Sequence, residues 1–334
     1  MDLNFSPLTQ PITPEDATAY KAQFSKPSRS LETVAIGMLV TTAVLVGGVI
    51  LAIVIFNGSF NMLTVLVIIA IVILVGASII STTLNKRRLI RLFKFAQANG
   101  AKLLVNDPNS VYPGMIFNQG RERMIKEAIV FADGREIGNY TYVIGSGRNR
   151  QTIKWGYMRI KLVRRLPNMV LDAKKNNMFG GLMSNLPSNL AGGQTLKLEG
   201  NFNDHFTLYV PEGYERDAYY VFTPDVMAVL IDHGDMFDIE VVDDELFFYS
   251  KGKFRLHQQT QLTDALSVLQ TISSEIVSQG DYYADERVAD RSMNSIAEPG
   301  RRLKSKIGII SIIVVAAYTL YLIWTLVSSL FSGN

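Results

Sequence analysis

The chain has 334 residues, 33 Lys and Arg against 30 Asp and Glu, and 48% hydrophobic residues. It contains no cysteine, which excludes disulfides, thiolate catalysis and thiolate zinc sites. Its length would allow about two domains, but part of it is too apolar to belong to a soluble core.

In chain order, a polar tail (1–33) precedes two stretches, 34–56 and 60–82, that contain no Asp, Glu, Lys or Arg. Each exceeds the roughly 20 apolar residues that cross a hydrocarbon core, so a transmembrane hairpin (34–83) is expected, with Asn57, Gly58 and Ser59 at its tip. A third uncharged stretch, 307–331, carries Tyr318, Tyr321 and Trp324 toward its end. A cleaved signal peptide fits badly, because no cationic start leads into the first stretch and a second follows at once.

Orientation follows from Lys and Arg near the span ends, which are retained in the cytoplasm. Lys86, Arg87, Arg88, Arg91 and Lys94 follow the second span, and Arg301, Arg302, Lys304 and Lys306 precede the third. The reading is a multi-pass cell-membrane protein with the N-terminus and main domain cytoplasmic and the C-terminus outside. These nine residues are the expected membrane-surface contacts, since a basic residue beside an anionic leaflet contributes about 1 kcal/mol. The first five lie on a basic juxtamembrane helix (84–100): Leu89, Leu92, Phe93 and Ala96 recur at helical spacing, and Gly100 caps the end after Asn99.

Residues 101–279 read as a cytoplasmic α+β domain with a mainly antiparallel sheet and a few helices. After an extended or looped stretch containing Pro108 and Pro113, strands are expected around 128–131, 139–144, 153–162 and 169–171, with a turn at Asp133-Gly134. The uncharged stretch 176–195 reads as a loop, because Gly180, Gly181 and Pro187 disfavour a helix; it folds over its own sheet or meets lipid or a partner. Short strands follow at 195–198 and 206–210. Thr223, Pro224 and Asp225 mark a helix start and Gly234 its C′ position. A hairpin is expected from 237–242 and 246–249 around Asp243 and Asp244. Gln259 to Val277 reads as a helix with Leu262, Leu266, Leu269, Ile272 and Ile276 on one side, and 280–306 as a charged linker. Residues 85–175 hold 19 Lys and Arg against 6 Asp and Glu, while 196–300 hold 7 against 20. The two halves are complementary, either within one chain or between copies.

Signatures of common chemistry are missing. No GxxxxGK[ST], HExxH or GxSxG motif occurs, and "GSGRNR" at 145–150 joins two strands without opening a helix. His205, His233 and His257 share no metal spacing, and the acidic run 232–245 lacks that of a calcium loop. No cofactor and no metal ligand is therefore assigned. Asp204 beside His205 is the one arrangement that suits an oriented base. Tyr140, Tyr142, Trp155 and Tyr157 interleave with basic residues as on a nucleic-acid face, but strand alternation and a nearby anionic bilayer account for both features, so no nucleic acid is expected.

The strings "LEGNFNDHFTLYVPEGYERDAYYVFTPDVMAVLID" (198–232), "DIEVVDDELFFY" (238–249), "GMIFNQGRER" and "IGNYTYVIGSGRNRQT" resemble an uncharacterised bacterial membrane protein family of actinobacterial type. The similarity covers roughly residues 88–255. It implies a bacterial cell membrane and a cytoplasmic domain of unknown function, and it transfers no catalytic residue or cofactor. The expected function is a membrane-tethered interaction or scaffold domain that binds a protein partner, itself or the anionic bilayer surface. The alternative is a membrane-surface enzyme with a site near Asp204 and His205.

Overall fold

A computed structural model describes residues 3–24, 46–48, 62–177, 184–187, 190–280, 283–305, 318–319, 321–322 and 324. Most of the spans expected at 34–56 and 307–331, and the loop segments 178–183 and 188–189, lie outside the described residues, as does Lys306. The described residues fall into two compact units. One lies within Met1–Val105 plus Leu256–Gln259, the other within Asn106–Arg255 plus Thr260–Asn334.

The first unit is built on a long helix, α2 (Met62–Ala98), whose N-terminal part is uncharged and which is basic from Lys86 to Lys94. It closes as Asn99 and Gly100 predict. Gly100 takes φ +60°, the Ala101 N–H reaches back to the Ala96 carbonyl and the Gly100 N–H to that of Gln97, which is the paired bonding that satisfies a helix's last carbonyls. The polar N-terminal segment is folded against this end. Helix α1 (Pro14–Phe24) starts with a reciprocal cap in which Thr13 N–H donates to Asp16 and Asp16 N–H to Thr13 Oγ1. Its Tyr20 and Phe24 meet Phe93 of α2, Phe5 meets Phe95, and Leu8 is fully covered. Strand β1 (Lys102–Asp107) then runs from the first unit into the second, where the sequence suggested extended chain or loop.

The second unit is α+β with an antiparallel sheet. Its strands are β2 (Arg121–Val130), β3 (Glu136–Ile144), β4 (Gln151–Ala173), β5 (Thr195–Leu196), β6 (Phe206–Tyr209) and β7 (Asp238–Lys251). The 23-residue β4 is the spine. One edge pairs with β7, and the other pairs first with β3 and then with β6, which in turn carries β5.

Two expectations change here for one reason. The strands expected at 153–162 and 169–171 are a single strand, and the hairpin expected around Asp243 and Asp244 is an uninterrupted β7. Lys161 pairs with Glu245 and Leu166 with Asp243, so four residues of β4 bulge out opposite Asp244. Pro167 sits beside that bulge, where a missing N–H is tolerated. Asp243 takes φ +55°, open to Asp at low cost.

Helices α3 (Phe202–His205), α4 (Glu215–Val221), α5 (Pro224–Val229) and α6 (Gln259–Gly280) complete the unit. Thr223 caps α5 as expected, accepting from Val226 N–H. Gly234 is not a left-handed cap: α5 runs on into a π turn, and a Cβ added at the glycine would lie 3.1 Å from the Ile272 side chain, close enough that Ile272 would have to shift. Along α6, Leu262, Leu266, Leu269, Ile272 and Ile276 are buried, each stabilising by about 2 kcal/mol relative to exposure. On the sheet, Phe117 sits among Tyr112, Tyr140, Tyr157 and Phe247, with ring centroids 4.7–5.5 Å apart. Tyr140, Tyr142, Trp155 and Tyr157 are buried, so their rings present no stacking face to a nucleic acid.

The segment expected as a linker also differs. Asp285 is buried and accepts from the Tyr214 hydroxyl (2.6 Å), Ala297 N–H and Arg287. Beyond it, Ala191 N–H donates to the Lys304 carbonyl and Lys304 N–H to Gln194. The strap is irregular but packed, because its carboxylate gathers donors that no regular element could supply. Arg159–Glu245, Lys161–Asp244 and Lys175–Asp235 join the basic half to the acidic half within the chain.

Candidate functional site

Residues 83, 86, 87, 90 and 91 recur at three- and four-residue spacing and therefore share one face of α2. Opposite that face stand Pro11, Ile12, Thr13, Pro14 and Ala17, at the start of α1. Between them is a cleft of about 570 Å³ lined by Thr83, Lys86, Arg87, Ile90 and Arg91 on the α2 side, with no acidic side chain in its wall.

The five basic residues of α2 divide by role. Lys94 fastens the helices together: its ammonium is 2.7 Å from Asp16 and 3.2 Å from the Pro11 carbonyl. That bond, together with the Thr13 N–H, holds the Asp16 carboxyl below its ordinary pKa. Arg88 donates to Asn85 and does not line the cleft. Lys86, Arg87 and Arg91 line it and form no ion pair or hydrogen bond with any described residue. Arg91 Nε is buried without an acceptor. A buried donor left unpaired costs about 1–3 kcal/mol, which an anion in the cleft would recover. The N-terminus of α1 adds a partial positive charge, though Glu15 and Asp16 in its first turn already answer part of it. The arrangement suits a multi-oxygen anion: two guanidinium forks and an ammonium facing an apolar wall with one hydroxyl.

The second basic group is placed differently. Arg301 pairs with Glu298 (2.9 Å), Arg302 with Asp243 (2.9 Å) and Lys304 with Glu212 (3.0 Å), so each has a carboxylate partner in its own unit. Lys304 holds the Glu212 carboxyl below its usual value. Asp204 and His205 end α3, with Asp204 exposed and His205 half-buried. No hydrogen bond joins their side chains; the contact His205 makes is its carbonyl accepting from Lys174 N–H. The oriented base suggested by their adjacency is not assembled.

The cleft's far wall was missed in the sequence. Its one signal there is Thr13-Pro14-Glu15-Asp16, a Ser/Thr-plus-acid capping pattern that marks a helix start inside a stretch read as tail.

No family model, curated protein or solved structure matches the chain.

Proposed function

We propose that this chain is a multi-pass protein of the bacterial cell membrane that holds its sheet unit at the cytoplasmic surface as an interaction scaffold, and that the cleft between α1 and α2 takes the phosphate of an anionic headgroup. In this reading α2 is the second of three spans, with 34–56 and 307–331 the first and third and with the C-terminus outside. Tethering at both ends raises the effective concentration of the sheet unit toward a protein partner or second copy on the same surface.

One observation carries the proposal. Between Met62 and Asn85, α2 has no charged residue, and the helix then continues without a break into turns where Lys86, Arg87 and Arg91 meet no carboxylate among the described residues. That uncharged part is about 36 Å long at 1.5 Å per residue, enough for a hydrocarbon core of about 30 Å. Among the described residues one helix is long and apolar enough to cross a membrane, and its apolar window is entirely unburied. Leu66, Val72, Ile73, Leu74 and Ile80 are exposed, whereas a soluble core helix would bury them.

Native mass spectrometry of the full chain released from detergent tests the headgroup assignment. Phosphatidylglycerol should be retained in preference to phosphatidylcholine, and Arg87→Gln with Arg91→Gln should reduce that preference roughly tenfold or more, at about 1 kcal/mol per cation. Inorganic phosphate added in excess separates a lipid site from a free-phosphate site. Equal retention of the two lipids, or a preference unmoved by the double substitution, would overturn the assignment.

A further inference from the structure

Where β4 and β7 end together in the second unit, the register pairs Leu171 with Ile239 and so sets Asp172 opposite Asp238, with Cβ atoms about 5 Å apart. Both carboxyls are buried, Asp172 at 3% exposure and Asp238 at 0%. Asp238 spends one oxygen on the Ala173 N–H at 2.9 Å. Its other oxygen, Oδ2, has no hydrogen-bond partner, and neither has Asp172 Oδ1. Two like-charged carboxyls with unpaired oxygens at a sheet end are costly unless a positive charge or a proton lies between them.

Two amides converge on the same place. Asn176, just past β4, is anchored by its Nδ2 donating to the Met236 carbonyl and leaves its buried Oδ1 without a partner. Asn185 is brought back by its own N–H donating to Asn177 Oδ1 at 2.9 Å, and its side-chain oxygen and nitrogen are both buried and unpaired. Burial pushes the Asp238 carboxyl up to about 7; the Ala173 N–H draws it down, the Asp172 charge raises it, and weak donation from the Asn176 and Asn185 side chains draws it down, as Ser184 and Asn177 do for Asp172. Lys174, whose charge acts on Asp172, has its ammonium donating to the Asn203 carbonyl. Among the described residues no three His, Cys, Asp or Glu side chains form a metal set, so any cation here must draw on amide oxygens as well.

We propose that Asp172, Asp238, Asn176 and Asn185 hold a hard divalent cation, Ca²⁺ in the first place, through their side-chain oxygens. Calcium takes six to eight oxygen ligands from carboxylates, amide carbonyls and water with flexible geometry, and this set supplies the first two kinds with two negative charges. Magnesium demands a tighter octahedron and gives up water reluctantly, so it fits these feet of a loop less well. The site is independent of the headgroup cleft, which lies in the other unit.

The test is calorimetric titration of the chelator-treated full chain in detergent with CaCl₂ and, separately, MgCl₂, together with thermal melting. Saturable binding of one Ca²⁺ per chain, weaker binding of Mg²⁺ and a melting temperature that rises with Ca²⁺ are expected. Asp172→Asn and Asp238→Asn should weaken binding at least tenfold, and Asn185→Ala, which leaves the strand ends untouched and guards against misfolding of the others, several-fold. Asp238→Asn should also melt no lower than the calcium-free parent, since it removes a buried repulsion. Absence of saturable Ca²⁺ binding would overturn the proposal and leave a proton shared by the two carboxyls. So would Asn185→Ala binding as tightly as the parent.

Discussion

Glu240 shows how single residues set the pH response of the sheet unit. It is buried in β7, where Tyr249 and the Met115 N–H donate to it at 2.5 and 2.7 Å, yet burial outweighs these bonds and pushes its carboxyl up to about 7. A folded-state pKa above the unfolded value means that the native state holds the proton more tightly. The stability from this group is therefore full below the ordinary carboxylate range and is lost as pH rises from about 4.5 to 7, on the order of 3 kcal/mol in all. Thermal melting across that interval should show the parent losing stability with rising pH and Glu240→Gln losing less, with the Asp238 contribution remaining. An unchanged slope in the variant would refute this account. Neither role was legible in sequence. Asp238 and Glu240 fall in a strand expected from the sequence within an acidic run, but nothing local marks them as buried, and only the pairing of β7 with β4 buries them. The proposed cation ligands likewise come from a strand end, two feet of a loop and a second strand, a spacing no linear motif encodes.

At the scale of elements, local signals survived and non-local ones did not. The stop of α2 at Gly100, the start of α5 at Thr223 and the apolar stripe of α6 follow from the chain itself, because caps and helical periodicity involve residues within a few positions. The bulge of β4 opposite Asp244 depends on a partner more than 70 residues away, so it looked like two separate breaks. Helix α1 falls between these cases: its cap is local, but its docking depends on Phe93 and Lys94 of α2. Thr13→Ala should remove about 1 kcal/mol from α1, seen as roughly fivefold faster amide hydrogen exchange at residues 17–21 with exchange in α6 unchanged. Equal protection in the variant would mean that packing on Phe93 alone holds the helix and that the capping pattern is incidental to the cleft.

For the whole molecule, the ion pairs Arg159–Glu245, Lys161–Asp244 and Lys175–Asp235 show that the basic and acidic halves meet at least in part within one chain. Among the described residues Lys86, Arg87 and Arg91, the cations that line the cleft, are in no ion pair, and the proposed placement rests on them. The chain's lack of cysteine makes the decisive measurement clean, because single cysteines are unique labels. Leu74→Cys, Gln97→Cys, Tyr219→Cys and Ser332→Cys, each probed with an impermeant maleimide on intact and then opened cells, report the arrangement directly. The account predicts labelling of Ser332→Cys on intact cells, of Gln97→Cys and Tyr219→Cys only once the cells are opened, and of Leu74→Cys in neither. Labelling of Gln97→Cys or Tyr219→Cys on intact cells, or of Leu74→Cys in any intact bilayer, would contradict it.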